Sequence, residues 1–130
     1  MNRIFLDTNV LFSAAYREDA GVRWLWQVAQ VELITSDYAA QEARTNLAEE
    51  TQRQRLNRIL RDVRMVPSAA RVALPDGIIL PEKDRPILMA AVEAQATHLL
   101  TGDKLHFGRY FGRAVAGVLI LTPSAYLASR

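Results

Sequence analysis

Four acidic residues have the side chains and the settings of a catalytic or metal-binding group. Asp7 directly follows a short apolar run near the N-terminus, and Asp103 follows a second such run beyond residue 97. Glu42 and Asp84 lie in segments with the pattern of helices. Each of the four also has an ordinary structural explanation as a turn residue, a helix cap or a solvated side chain. Their chemistry becomes significant only if the fold brings them together.

Convergence of these acids would be costly without a cation. Two carboxylates about 5 Å apart repel each other by roughly 3 kcal/mol at an effective dielectric constant of 20. A domain of this kind has a net stability of only about 5–15 kcal/mol. Such a cluster is therefore expected either to take up protons or to bind hard cations. A set of oxygen ligands suits Mg²⁺ or Mn²⁺.

The hydrophobic pattern predicts elements that can bring the acids to one edge of a sheet. Residues 4–6 are predicted to form a central strand, and short apolar runs at 33–35, 65–66, 98–100 and 118–121 are predicted to form others. Because helical segments alternate with these strands, we expect a three-layer α/β/α sandwich with a central parallel sheet of four to five strands. Ligands of such sheets bind beyond the carboxyl ends of the strands, where Asp7 and Asp103 fall.

Several helices are predicted between the strands, and those that carry Glu42 and Asp84 can border this edge. Residues 9–16 follow the first strand, and a second helix is predicted from Gly21, with an apolar stripe of helical period up to Ala29. Ser36 and Asp37 are typical of a helix start. The helix that follows them repeats polar residues at steps of four, so Glu42 is presented on a rigid face.

Composition restricts the class of protein. The chain has 130 residues, half of them hydrophobic, which predicts a single domain over residues 1–130. It contains no cysteine, so a metal must be bound by oxygen or by one of two histidines. The first apolar stretch is interrupted at Asp7, and the run at 114–121 is far short of the ~20 residues of a membrane helix. A cytoplasmic protein without a membrane partner is expected.

The positive charges are unevenly distributed. The formal net charge is only +2, which is weak support for a nucleic-acid partner. Lysine occurs only at positions 83 and 104, whereas arginines concentrate between residues 53 and 64. A solvated helix face explains these arginines as well as contact with phosphate does. The candidates for nucleic-acid contact are Arg53, Arg55, Arg58 and Lys104.

Several segments together resemble the PIN domain, and within it the toxin components of toxin–antitoxin pairs of the VapC type. These segments are FLDTNV at the first strand end, TSDYAAQEARTNL, KDRPILMAAVEAQATHLLTGDK and the final LILTP strand. The similarity extends over nearly the whole chain. DTN or TGD alone would be a weak signal, but their combination with KDRPIL is fairly specific.

The resemblance implies a site. PIN domains are metal-dependent nucleases, usually ribonucleases, with an acidic cluster at the carboxyl edge of a parallel sheet. The family's four acids fall on Asp7, Glu42, Asp84 and Asp103, although Glu49 and Glu50 are alternatives to Glu42. The metal ligands implied are Asp7, Asp84 and Asp103 for Mg²⁺ or Mn²⁺, with Asn9 and Thr101 as supporting residues. Lys104 and His106 stand where some relatives have another carboxylate, so one metal or two stays open.

The resemblance also implies an activity and partners. It implies hydrolysis of RNA phosphodiester bonds, inhibition by a small antitoxin protein that covers the acidic crevice, and a homodimer. A catalytically silent PIN-fold module with a binding or regulatory role is the alternative. An aspartyl-phosphate enzyme is disfavoured, because the second aspartate that such enzymes place two residues after the first is Asn9 here. His98 is predicted at a strand start and His106 on a helix surface, both outside the chemistry.

Overall fold

A mostly parallel sheet forms the centre of the computed structural model, which describes residues 1–70 and 73–130. The strands in those residues are β1 (Asn2–Leu6), β2 (Val31–Ser36), β3 (Arg64–Val66), β4 (His98–Leu100), β5 (Ala114–Val115) and β6 (Val118–Leu121). The α-helices are α1 (Thr8–Tyr16), α2 (Asp37–Asn46), α3 (Glu50–Leu60), α4 (Arg85–Glu93), α5 (Lys104–Phe107) and α6 (Pro123–Ala128). Short 3₁₀ helices cover Gly21–Gln27, Glu82–Asp84 and Gly108–Tyr110.

The strand order β3-β2-β1-β4-β6-β5 determines where a crevice opens. The chain runs outward from β1 to β2 and β3 and then returns to place β4 on the other side of β1. The connections of β1 and β4 therefore leave in opposite directions. In open α/β sheets, adjacent strands of this kind diverge at their carboxyl ends and leave room for a ligand between them.

The sheet is the core of the molecule. Ile4, Phe5 and Leu6 of β1 have no solvent exposure, and Leu99 and Leu100 of β4 are equally buried. Continuous apolar strands of this kind are expected where helices cover both faces of a parallel sheet. Such a core keeps the strand ends rigid.

The helices form the outer layers. Helix α1 packs against α2 and α3, whereas α4 packs against β2 and β4. Right-handed crossovers place the helices of the outgoing and returning connections on opposite faces of the sheet. The arrangement is a three-layer α/β/α sandwich, as predicted. The predicted helix start at Ser36 is confirmed, since Ser36 Oγ accepts a hydrogen bond from Ala39 N. Thr122 Oγ1 caps α6 in the same way by accepting one from Ala125 N.

Two expectations need correction. The segment from Gly21 is a 3₁₀ helix that ends at Gln27, rather than an α-helix with a stripe to Ala29, and only Leu25 of it is buried. The backbone turns extended at Val28, and Trp26 Nε1 donates to Ile59 O, which ties the segment to α3. The described part of the chain also has six strands rather than four to five. The additional strand is β5, which has two residues and pairs antiparallel with β6; two residues are too few to produce a readable pattern.

Within residues 1–70 and 73–130, no helix has both the length and the apolar character to cross a membrane.

Candidate active site

A cleft of about 930 Å³ opens at the carboxyl ends of β1 and β4, where the two connections diverge. All four predicted acids line it, although they are separated by up to 96 positions in the chain. The side chains that line this cleft and bear on its chemistry are Asp7, Asn9, Glu42, Lys83, Asp84 and Asp103.

Asp7 is the most buried acid of the cleft, with 3% of its surface exposed. It ends β1, and its Oδ1 accepts a hydrogen bond from the backbone N of Thr8 at 2.6 Å. Burial raises the pKa of this carboxyl from 3.8 to about 6, although the hydrogen bonds from Thr101 and Thr8 oppose the rise. The neighbouring charges of Asp84 and Asp103 account for smaller parts of the same rise. The carboxylate form is therefore costly in the absence of a cation.

Asn9 and Thr101 hold Asp7 in place. Thr101 Oγ1 donates to Asp7 Oδ2 at 2.8 Å, and Asn9 Nδ2 donates to the same oxygen at 3.1 Å. Asn9 Oδ1 also accepts a hydrogen bond from Gly102 N at 2.8 Å. The network joins the ends of β1 and β4 and orients one carboxylate into the cleft.

Asp84 is not used as a helix cap. Its backbone is already helical, with φ −94° and ψ −14°, and within the described residues its side chain makes no capping hydrogen bond to α4. The residue is 8% exposed, and burial raises the pKa of its carboxyl, while His106 opposes the rise. Its Oδ2 lies 3.0 Å from His106 Nδ1 but makes no hydrogen bond of acceptable geometry to any described group. A buried carboxylate oxygen that accepts no hydrogen bond can still bind a ligand.

Asp103 has two roles at once. It is the N-cap residue of α5, and its Oδ1 accepts a hydrogen bond from His106 N at 3.0 Å. Its Oδ2 lies 2.8 Å from His106 Nδ1. The structural and functional explanations of this residue are therefore compatible, because each uses a different oxygen.

His106 is placed differently from the expectation. It was predicted on a helix surface, but its side chain is only 24% exposed and its Nδ1 lies between Asp84 and Asp103. The signal that could have found it is the spacing Asp-x-x-His across a helix start, because residues at the N-cap and N3 positions face each other.

Glu42, rather than Glu49 or Glu50, lines the cleft. It lies half-buried on α2, and its charge adds to the rise that burial produces in the pKa values of Tyr38 and Asp84. Glu49 precedes α3, where its backbone N donates to Gln52 Oε1, and Glu50 pairs with Arg53 at 3.1 Å. The helix-borne acid of the cleft is Glu42.

The cations predicted to bind nucleic acid have intramolecular partners or lie outside the cleft. Arg55 pairs with Glu18 at 2.9 Å and donates to Ala15 O, and Arg58 approaches the same carboxylate at 3.6 Å. Arg53 donates to Leu47 O at 2.7 Å. Among the cleft-lining residues in the described part of the chain, none is an arginine, and Lys83 is the cation. Lys104 is exposed at the start of α5.

The donor set fits a divalent cation. Asp84, Asp103 and His106 each offer a ligand atom, and these atoms lie within 4.8 Å of one another. Asp7 adds a further carboxylate to the same cleft. Buried, mutually repelling oxygens, one of them without a hydrogen bond, are the chemistry expected of a metal site at a strand end.

These observations define the class of protein: an α/β sandwich with a carboxylate cluster where β1 and β4 diverge. Residues 3–105 match the family model of the PIN domain. The chain belongs to the PIN domain family. None of the curated proteins matches this sequence.

Solved structures with the same fold include components of toxin–antitoxin systems. A chain of the Rickettsia felis VapBC2 complex bound to a promoter DNA fragment aligns with a TM-score of 0.65 and 16% identity, over 92% of this chain and 98% of that one. FitAcB from Neisseria gonorrhoeae aligns with a TM-score of 0.61 and 23% identity, over 93% and 98%. Mycobacterium tuberculosis VapC20, a toxin that cleaves the sarcin-ricin loop, aligns with a TM-score of 0.56 and 18% identity, over 77% and 91%.

Proposed function

We propose that this protein is a metal-dependent endoribonuclease and the toxin of a toxin–antitoxin pair. The observation that supports it most is the convergence of Asp7, Glu42, Asp84 and Asp103 in one cleft of a PIN-family domain. RNA is the favoured substrate because VapC20, which has the same fold, cleaves the sarcin-ricin loop.

Asp7, Asp84 and Asp103 would hold the cation, Mg²⁺ or Mn²⁺. When bound, the cation would supply Lewis-acid chemistry at a phosphodiester and make a water more acidic. The protein holds the ligand side chains in position. Thr101 and Asn9 fix the Asp7 carboxylate, and β1 and β4 provide a rigid base for it.

Glu42 and Lys83 would act on the reacting groups. Glu42 lies on α2 and lines the cleft, where it can accept a hydrogen bond from the attacking water. Transfer of that proton to a carboxylate leaves hydroxide to attack phosphorus in line with the leaving oxygen. The P–O bond to that oxygen breaks, and the oxygen takes up a proton from solvent water. Lys83 can neutralise a phosphate oxygen. The reaction needs no covalent intermediate with a side chain.

A small antitoxin is the partner that fits this function. A structure with the same fold from Klebsiella pneumoniae, 21% identical to this chain, is a toxin–antitoxin complex. We propose that the antitoxin covers the acidic cleft with a basic or amphipathic segment, and that the toxin forms a homodimer. A cytoplasmic location is proposed with this function.

Cleavage of RNA by the purified protein tests the proposal. We expect endonucleolytic products with Mn²⁺ or Mg²⁺, none with EDTA, and none from Asp84→Asn in either metal. Asp76→Asn is the matched control, because Asp76 is an exposed aspartate outside the residues that line the cleft. If intact, folded protein leaves all RNA substrates uncut in both metals, the chain is a silent binding module instead.

A further inference from the structure

We propose that His106 is a ligand of the divalent cation and that, as a result, the site prefers a first-row transition ion such as Mn²⁺ to Mg²⁺. This inference rests on the proposed function only in placing the metal in the same cleft. It goes further by adding a nitrogen to the ligand set and by choosing between the two ions.

The positions of three atoms support the assignment. His106 Nδ1 lies 2.8 Å from Asp103 Oδ2 and 3.0 Å from Asp84 Oδ2. Adjacent ligand atoms of an octahedral ion with bonds of about 2.1 Å lie about 3 Å apart. The nitrogen therefore already has the spacing of a third ligand beside two carboxylate oxygens.

The ring is held in this orientation by the start of α5. The backbone N of His106 donates to Asp103 Oδ1, so Asp103 fixes the turn from which the imidazole projects. Asp84 Oδ2, which is buried and makes no hydrogen bond within the described residues, faces the same nitrogen. An imidazole presented to two acids in this way can coordinate through Nδ1 while Nε2 keeps the ring proton.

The nitrogen changes the expected choice of ion. Mg²⁺ takes oxygen ligands almost exclusively, whereas imidazole suits first-row transition ions. Affinity for a mixed nitrogen and oxygen set rises from Mn²⁺ through Co²⁺ to Zn²⁺. Mn²⁺ is the ion of this series that also accepts several carboxylates and water, so it is the probe of choice.

The competing explanation is that His106 is a counter-charge. In that case the protonated imidazole neutralises Asp84 and Asp103, and an incoming cation displaces it. Both explanations use the same distances in the metal-free protein. They differ in whether nitrogen is bonded to the ion.

Electron spin-echo envelope modulation of the Mn²⁺ complex distinguishes them. The chain has two histidines, so His98→Asn is the matched control for His106→Asn. His98 begins β4 and packs edge-on against Tyr126, with ring centroids 5.0 Å apart. Spectra of the Mn²⁺ complexes should show ¹⁴N modulation in the wild type and in His98→Asn and none in His106→Asn.

Binding constants give a second readout that also serves if the spectra of a variant are weak. We expect His106→Asn to weaken Mn²⁺ binding by about tenfold or more, and to change Mg²⁺ binding by less than about threefold. Wild-type protein that binds Mn²⁺ without ¹⁴N modulation, or binds no Mn²⁺, would overturn the assignment. RNA cleavage measured on the same samples separates the two proposals: modulation without cleavage refutes the nuclease alone, and cleavage without modulation refutes the role of His106 alone.

Discussion

At the scale of single residues, Asp7 shows most clearly what a carboxylate costs in this cleft. Its pKa in the folded protein is raised to about 6, mainly by burial. A move from 3.8 to about 6 corresponds to roughly 3 kcal/mol of destabilisation once the group is ionised. Because folding raises the pKa of this acid, ionisation of Asp7 lowers the stability of the folded protein. The penalty is absent below the unfolded pKa, develops as the pH rises through the folded pKa, and is complete above it.

Replacement of Asp7 by asparagine should therefore abolish cleavage and leave the metal-free protein at least as stable at neutral pH. The gain in the free energy of unfolding should stay below about 3 kcal/mol, because an amide oxygen that accepts from Thr101 and Asn9 leaves an NH₂ group, which cannot accept the hydrogen bond from Thr8 N. Denaturant unfolding in EDTA checks this. The advantage of the variant over the wild type should shrink as the pH is lowered from about 7 to about 4.

Asp76→Asn provides the comparison for this measurement, since the residue is exposed. It should show neither the gain nor its pH dependence. An Asp7→Asn protein that unfolds at neutral pH, or that cleaves at the wild-type rate, would contradict the explanation.

Glu42 permits a matched test on two glutamates of neighbouring helices. Glu42→Gln should lower kcat/KM for RNA by about 10- to 100-fold, because the amide cannot accept a proton from water. Glu49→Gln should stay within about twofold of the wild type, since Glu49 precedes α3 and does not line the cleft. Steady-state cleavage of a labelled oligonucleotide measures both. Equal activity of the two variants would remove Glu42 from the site.

The sequence predicts single residues well when one element determines their position. Asp7 and Asp103 follow strands that apolar runs identify, and Glu42 follows from helical spacing. His106 was missed because its position depends on the fold of a four-residue helix around Asp103 and on the approach of Asp84 from a distant segment. The sequence pattern around His106 does not reveal a contact with a residue from a distant segment.

At the scale of elements, α3 shows that a row of arginines need not be a binding surface. Arg55 and Arg58 share Glu18, which lies just beyond α1, and so connect two helices. The number and spacing of the arginines are visible in the sequence, but Glu18, with which they pair, is 37 and 40 positions away from them. The same limit applies to the segment from Gly21, whose apolar stripe is compatible with both α and 3₁₀ helices until tertiary contacts decide.

The salt dependence of RNA binding tests which cations contact phosphate. Lys83→Gln, in an Asp7→Asn background that prevents cleavage, should reduce the slope of log affinity against log salt by about 0.7, the value of one lost phosphate contact to a single strand. Arg55→Gln and Arg58→Gln should leave the slope unchanged, because both arginines already contact the carboxylate of Glu18 and lie outside the cleft. Fluorescence anisotropy with a labelled oligonucleotide gives the slopes. A reduced slope for the arginine variants would place α3 in the RNA interface.

At the scale of the whole molecule, the topology produces the site. Residues from positions 7, 42, 84 and 103 meet because the chain reverses its direction across the sheet between β1 and β4. Alternating strands and helices predict this architecture from the sequence, and the parallel strands β1, β2, β3, β4 and β6 agree with it. Strand β5 was not predictable, since its two residues pair with β6 only after the turn at Ala116 and Gly117 has formed.

Anomalous scattering from a crystal grown with Mn²⁺ shows whether the carboxylate cluster binds a metal, because it locates the ion independently of activity. We expect a manganese peak in the cleft, with carboxylate oxygens of Asp84 and Asp103 at about 2.0–2.6 Å from the ion. A fully loaded crystal with manganese elsewhere, or with none while Asp84 and Asp103 stay paired with His106, would contradict it.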